Sequence, residues 1–226
     1  MTGTVIVTGG TGGLGPAVLR RLLADDWRVV ASVWGEPSEV PPGVEAIPAN
    51  VSEERDVAGV VAAAAAMADR PLTAVVNLVG GYAEGKRLHE TPIADFESIV
   101  TLNLRPTVLV TGAALPHLVA NGGGSVVCVG SRAAVKPFPK AAGYIVGKAA
   151  VLALVDALAV EYRDDRVRVN AVLPSVIDTP GQRAANPGAD TSRWVPPEEI
   201  ADAIAFLCSD ASRPISGAHM PVYGRA

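Results

Sequence analysis

Charged side chains make up only 19% of this chain and aromatic ones 4%, and cysteine occurs twice. Each scarcity excludes something. With a net charge of −4 and no basic stripe, no nucleic-acid partner is expected. Cys128 and Cys208 each sit in an apolar stretch, as buried free thiols do. They give no disulfide framework and suit a reducing compartment, so a cytoplasmic location is expected. His89, His117 and His219 are scattered without metal-ligand spacing, and no metal is expected. No basic-then-apolar leader opens the chain, and no apolar run approaches the length that crosses a bilayer, so no membrane partner is expected.

Apolar residues are plentiful at 49%, and 226 residues are enough to bury a full core, so residues 1–226 are expected to form one domain. Short β-branched runs alternate with helical patterns. Thr4 to Val7, Arg28 to Val33, Val44 to Ile47, Leu72 to Val79, Ser125 to Val129, Arg166 to Leu173 and His219 to Val222 read as strands. Helices are expected over Leu14–Ala24, from the cap Ser52 through Glu53, Glu54 and Arg55 in the first turn and on over Val57–Met67, from Thr91 to Val119 with a break or kink at Pro106, over Gly143–Tyr162, and from Pro197. Residues 36–43 and 178–196 read as loops. This alternation predicts an α/β fold, a Rossmann-like doubly wound parallel sheet with helices on both faces. Ligands of such sheets bind beyond the carboxyl ends of the strands, where Gly9, Asn77, Ser131 and Pro174 all fall.

The first strand runs straight into Thr8-Gly9-Gly10-Thr11-Gly12-Gly13-Leu14-Gly15, which opens the first helix. Amides at a helix start are unpaired and aligned with the helix dipole, so they attract a phosphate or pyrophosphate. Glycine removes the side chains that would block the approach. The turn therefore predicts a dinucleotide cradle.

Tyr144 and Lys148 lie four apart on a predicted helix and so share a face. A phenol titrates near ~10, and a neighbouring ammonium lowers that value, fitting the phenol to exchange a proton with a carbonyl or alcohol. Alone, such a pair also reads as an ordinary surface pair. Ser131, thirteen residues earlier and just past the fifth strand, is placed to hold the same substrate oxygen.

The glycine-rich turn, Asn77-Leu78-Val79-Gly80, Asn103, Ser131, Tyr144 and Lys148, in this order, resemble the short-chain dehydrogenase/reductase family over essentially the whole length. Arg168 to Pro174 resembles the segment leading to the family's Pro-Gly, with Ser175 in place of the glycine, and residues 215–224 resemble its last strand. The resemblance implies an NAD(P)-dependent oxidoreductase that moves a hydride between nicotinamide and a small carbonyl or alcohol substrate. In it Tyr144 is the general acid/base, Ser131 orients the substrate oxygen, Lys148 depresses the tyrosine pKa and binds the nicotinamide ribose, and Asn103 holds a relay water. Asn103 also reads as a kink-stabilising residue beside Pro106. The implied cofactor contacts are Thr8, Gly9, Thr11, Gly13, Leu14 and Gly15 at the turn and Val33 and Trp34 at the adenosine ribose. Asn50 and Val51 face the adenine, Asn77 and Leu78 form the cofactor wall, and Pro174, Ile177 and Thr179 lie by the nicotinamide.

Val33 and Trp34 offer neither the acid that binds an NAD ribose nor the base that binds the NADP phosphate. No Arg or Lys occurs between Val29 and Glu54, and Glu36 would reach a ribose hydroxyl and repel a phosphate, so the balance favours NAD. Arg20 and Arg55 leave NADP open. The helices around Thr107–Val119 and Val151–Tyr162 carry many small and apolar residues. The resemblance implies that such helices pair between subunits, as a homodimer or homotetramer. Arg132, Lys136, Lys140, Arg183 and Arg193 either line the substrate mouth and favour an anion or are solvated loop charges. Two other readings stand beside the enzyme: a non-catalytic NAD(P)-sensing or scaffold protein on the same fold, and an epimerase-like relative suggested by Gly9, Gly12 and Gly15.

Overall fold

The computed structural model describes residues 3–34 and 40–225. Seven parallel strands form one sheet in the order β3-β2-β1-β4-β5-β6-β7. They are β1 (Thr4–Thr8), β2 (Arg28–Val33), β3 (Glu45–Pro48), β4 (Leu72–Asn77), β5 (Gly124–Val129), β6 (Val167–Pro174) and β7 (His219–Val222). Period-two alternation sends Ile6, Val75 and Val126 to one face and Val5, Val7, Val76 and Val127 to the other. Helices α2 (Glu54–Ala65), α3 (Ile93–Ala120) and α4 (Ala142–Glu161) cover the first face through Val60, Val110, Leu118, Val151 and Val155. Helices α1 (Gly15–Ala24) and α6 (Pro197–Cys208) cover the second through Val18, Leu22, Ile200 and Ile204. Two apolar layers around a parallel sheet explain why the strands read as unbroken apolar runs. Cys128 and Cys208 are both free and buried.

Several local expectations are corrected. Ser52 does not cap α2: the residue ahead of the helix is Glu53, with no side-chain cap. The turn is closed instead by Asn50, whose Oδ1 accepts from the Ser52 amide while its own amide donates to Asp56. Pro106 does not break α3, which runs through both Pro106 and Pro116. Pro106 is buried against the fold, so tertiary packing overrides its helix-breaking preference. Residues 178–196 hold a short helix, α5 (Pro180–Ala185), and a 3₁₀ turn over Thr191–Arg193. The expectation that no apolar run is long enough to span a bilayer also fails, since α3 and α4 are both long and apolar enough on length and composition. Both pack against the sheet and against each other in one layer, with part of their apolar surface left exposed.

Candidate active site

The carboxyl ends of β1, β4, β5 and β6 surround a cleft of about 640 Å³. The order β2-β1-β4 places the switch in winding direction beside β1, where such sheets bind ligands.

One wall is the glycine turn. No side chain caps the start of α1, and no acidic residue lies in its first turn. The helix start thus keeps donors and a positive end for an anionic group. Gly13 and Leu14 line the cleft. A Cβ on Gly13 would stand 2.9 Å from Thr179 Cγ2, so glycine there lets the residues ahead of α5 close over the turn. The cradle fits the pyrophosphate of a dinucleotide. Thr8 holds the turn from below: its Oγ1 accepts from the amides of Leu78 (3.0 Å) and Val79 (3.3 Å). Thr11 donates to the Trp34 carbonyl.

The opposite wall carries Ser131, Tyr144 and Lys148, all of which line the cleft. Ser131 leaves β5 and starts a 3₁₀ turn, its Oγ accepting from the Ala133 amide at 3.1 Å. Burial pushes the Tyr144 phenol above its ordinary value near 10.0, and the neighbouring Ser131 side chain pulls against that rise. Tyr82 meets the Tyr144 ring edge-on, with centroids 5.0 Å apart. Burial lowers Lys148 from 10.5 to about 8, with a small opposing pull from Cys128. Its Nζ donates to the Val129 carbonyl at 2.9 Å. The expected depression of Tyr144 by Lys148 is therefore not what this arrangement gives. The ammonium is held by a backbone carbonyl, and burial governs the phenol.

Asn103 and Gly80 form the back of the site. Asn103 donates to the carbonyls of Gly81 (3.0 Å) and Ile99 (2.9 Å), and its Oδ1 accepts from the Gly81 amide at 3.2 Å. It fastens α3 to the loop after β4 rather than serving Pro106. A Cβ on Gly80 would lie 2.7 Å from Asn103 Oδ1 and 2.9 Å from Lys148 Nζ, so only glycine lets both polar groups approach here. Asn77 is buried below, with its amide nitrogen donating to Thr111 Oγ1 at 3.0 Å and its Oδ1 unpartnered.

The cleft thus brings together Gly13, Leu14, Leu78, Ser131, Tyr144, Lys148, Pro174, Ile177 and Thr179. Thr8, Gly9, Thr11 and Gly15 shape the adjoining turn, and Asn77 and Asn103 lie behind the walls. Val33, Trp34, Asn50 and Val51 do not line the cleft. Val33 is 1% exposed, its side chain in the core layer beside α1, whereas Trp34 is 75% exposed at the end of β2. Glu36 lies outside the described residues. Sequence reasoning missed Tyr82, Phe138 and Tyr223. Their one signal was an aromatic residue close to a strand end in a chain with few aromatics.

A family model described as enoyl-(acyl carrier protein) reductase matches residues 9–224. The chain is 32% identical to the 2-(R)-hydroxypropyl-CoM dehydrogenase of Xanthobacter autotrophicus over 99% of this chain and 98% of that one. It is 33% identical to the dehydrogenase/reductase SDR family member 4 of Bos taurus, over 97% of this chain and 85% of that one. A short-chain type dehydrogenase/reductase from Mycobacterium ulcerans superposes with a TM-score of 0.90 at 28% identity, covering 99% of this chain and 89% of that one. With its sheet order, uncapped glycine turn and Ser-Tyr-Lys wall, the chain belongs to the short-chain dehydrogenase/reductase family of NAD(P)-dependent oxidoreductases.

Proposed function

We propose that residues 1–226 act as one catalytic domain in which Tyr144 exchanges the proton and Ser131 holds the oxygen of a small carbonyl or alcohol substrate. One observation carries this reading: Ser131 and Tyr144 line the same cleft as the uncapped start of α1. NAD(P), when bound, supplies or accepts the hydride. Gly13, Leu14 and the turn behind them would hold its pyrophosphate, with Pro174, Ile177 and Thr179 on the nicotinamide side and Lys148 at the ribose. A phenol raised above its ordinary value keeps its proton at neutral pH, so Tyr144 stands ready to protonate a carbonyl oxygen. Ser131 fixes that oxygen beside the phenol, and Asn103 positions the Gly80–Gly81 backbone against which Lys148 rests. The complete set Asn103, Ser131, Tyr144 and Lys148 favours an enzyme over a sensor or scaffold.

The preferred cofactor is NAD. The described part of the β2 end presents the exposed Trp34 and no cation for a 2′-phosphate. Incubating the protein with NADH or NADPH and a panel of ketones and aldehydes, followed by absorbance, is expected to show oxidation of the reduced cofactor and a higher kcat/KM with NADH. A tenfold preference for NADPH, ~1.4 kcal/mol, reverses the cofactor assignment. No oxidation with any carbonyl overturns the enzymatic reading.

The assembly is a homodimer or homotetramer formed through α3 and α4. Leu102, Val108, Val146 and Val160 remain 41–65% exposed on these helices, an apolar surface of the kind that subunit pairing covers. Light scattering at micromolar concentration is expected to give twice or four times the chain mass, and a monomer refutes this assembly. The two buried free thiols suit the reducing cytoplasm.

A further inference from the structure

The residues lining the cleft include three cations, Arg132, Lys136 and Lys148, and no Asp or Glu, in a protein whose net charge is −4. Lys148 is buried and bound to the Val129 carbonyl, which leaves Arg132 and Lys136. The other cations considered for the substrate mouth separate from these. Arg183 is paired with Asp178 through two contacts of 2.5 and 2.7 Å, and Lys140 and Arg193 do not line the cleft. Among the described residues no carboxylate lies within ion-pair distance of Arg132.

The position of Arg132 is built. It directly follows Ser131, and its guanidinium lies 5.2 Å from the centre of the Tyr223 ring. That contact steadies a cation without neutralising it. Tyr223 is anchored in turn, its carbonyl accepting from Ser175 Oγ at 2.9 Å. The residue standing where the family has glycine thus ties the segment after β7 to the cleft. Lys136 joins the same turn through its amide, which donates to the Arg132 carbonyl at 2.8 Å. The same cleft is lined by Tyr82 and Phe138, ring centroids 6.5 Å apart, and by Val176. Glu84 lies near the Tyr82 side chain but is not part of the lining.

We propose that the substrate is an organic anion and that Arg132, aided by Lys136, is the residue that selects it. The substrate is a ketone or secondary alcohol carrying a carboxylate or sulfonate, with an apolar spacer between that group and the reacting carbon. The apolar wall takes the spacer, and a planar guanidinium without a counter-charge takes the anion by charge-assisted hydrogen bonds. The assignment rests on the oxidoreductase reading of the same cleft.

The test compares 4-acetylbenzoate and 4-acetylbenzenesulfonate with neutral 4-acetylbenzamide, using NADH or NADPH. The expected result is a kcat/KM about tenfold or more higher for an anion than for the amide, carried mainly by KM, as a charge-assisted contact predicts. The two anions distinguish a planar from a tetrahedral head group. In Arg132→Gln the anion-to-amide ratio is expected to collapse towards one, in Lys136→Gln to fall less, and in Arg132→Lys to survive in part. Equal turnover of anions and amide by the wild type, or an unchanged ratio in Arg132→Gln, overturns the proposal while leaving the oxidoreductase intact. Should no ketone of any charge react, the oxidoreductase reading is what fails, and calorimetric titration of the same three compounds decides the charge question. Anions that bind no better than the amide, or that bind Arg132→Gln equally well, refute it there too.

Discussion

Replacing Tyr144 by phenylalanine is expected to lower kcat by at least ~10²-fold, the lower end of what a positioned proton donor contributes. The substitution removes one oxygen and little else. The ring that meets Tyr82 edge-on at 5.0 Å stays, as does the aromatic bulk in the cleft wall, so packing around α4 is conserved. In the proposed arrangement the α1 turn, Lys148 and the loop after β6 hold the cofactor, so a fluorescence titration with NADH should give nearly the wild-type Kd. Loss of turnover with retained binding is the signature of a group used in the transition state alone. Near-normal turnover in Tyr144→Phe removes Tyr144 from the chemistry, and loss of both together makes its role structural.

Lys148→Met is expected to produce a different pair of effects. Turnover should fall and the cofactor Kd should rise, because the proposed reading puts this one ammonium at the nicotinamide ribose, against the Gly80–Gly81 backbone of the site. The pH dependence of stability should change as well. Folded Lys148 titrates at about 8 and its ordinary value is 10.5. Between those limits the unfolded chain binds a proton that the folded chain has given up, so this residue makes stability rise with pH by up to about 1.4 kcal/mol per pH unit. Below about 8 both forms hold the proton and the slope vanishes. Buried Cys128, pushed up to about 11 by burial, contributes the opposite slope, and the Met variant enlarges it because the Lys148 charge that pulls the thiol down is gone. Urea denaturation of the cofactor-free protein at pH 7, 8, 9 and 10 reads the difference. Parallel pH profiles for wild type and Lys148→Met would mean that Lys148 is not held in a desolvated site.

The sheet was legible because β1, β4, β5 and β6 are buried on both faces, and that burial writes itself as β-branched runs bounded by glycine. Ser131, Tyr144 and Lys148 were legible for a related reason: a strand end and one helix face place them together whatever the loops do. What spacing does not encode is which partner a polar group finds. Ser52 looked like a cap because its type favours caps, yet Asn50 and Asp56, six residues apart across the turn, took that task. Lys148 was expected to act on Tyr144, four residues earlier on α4, yet it bonds to Val129, nineteen residues away on β5. Pro106 was read as a break or kink because its helix penalty is local, whereas the packing that carries α3 through it comes from elsewhere in the fold. Tyr82 meets Phe138 from a separate segment, and Tyr223 meets Arg132 from another, contacts that no single stretch announces.

While the chain is being made, its first strand must wait for its neighbours. β1 lies between β2 and β4, so one of its edges stays open until Leu72–Asn77 has left the ribosome. From β4 onward the sheet grows outward one strand at a time, in the order of synthesis, through β5, β6 and β7. The glycine turn can therefore form early, but Arg132 finds the Tyr223 ring only after β7 has joined the edge. A nascent chain stalled before residue 219 would already have its dinucleotide cradle and its Ser-Tyr-Lys wall, and still lack the aromatic face that steadies Arg132.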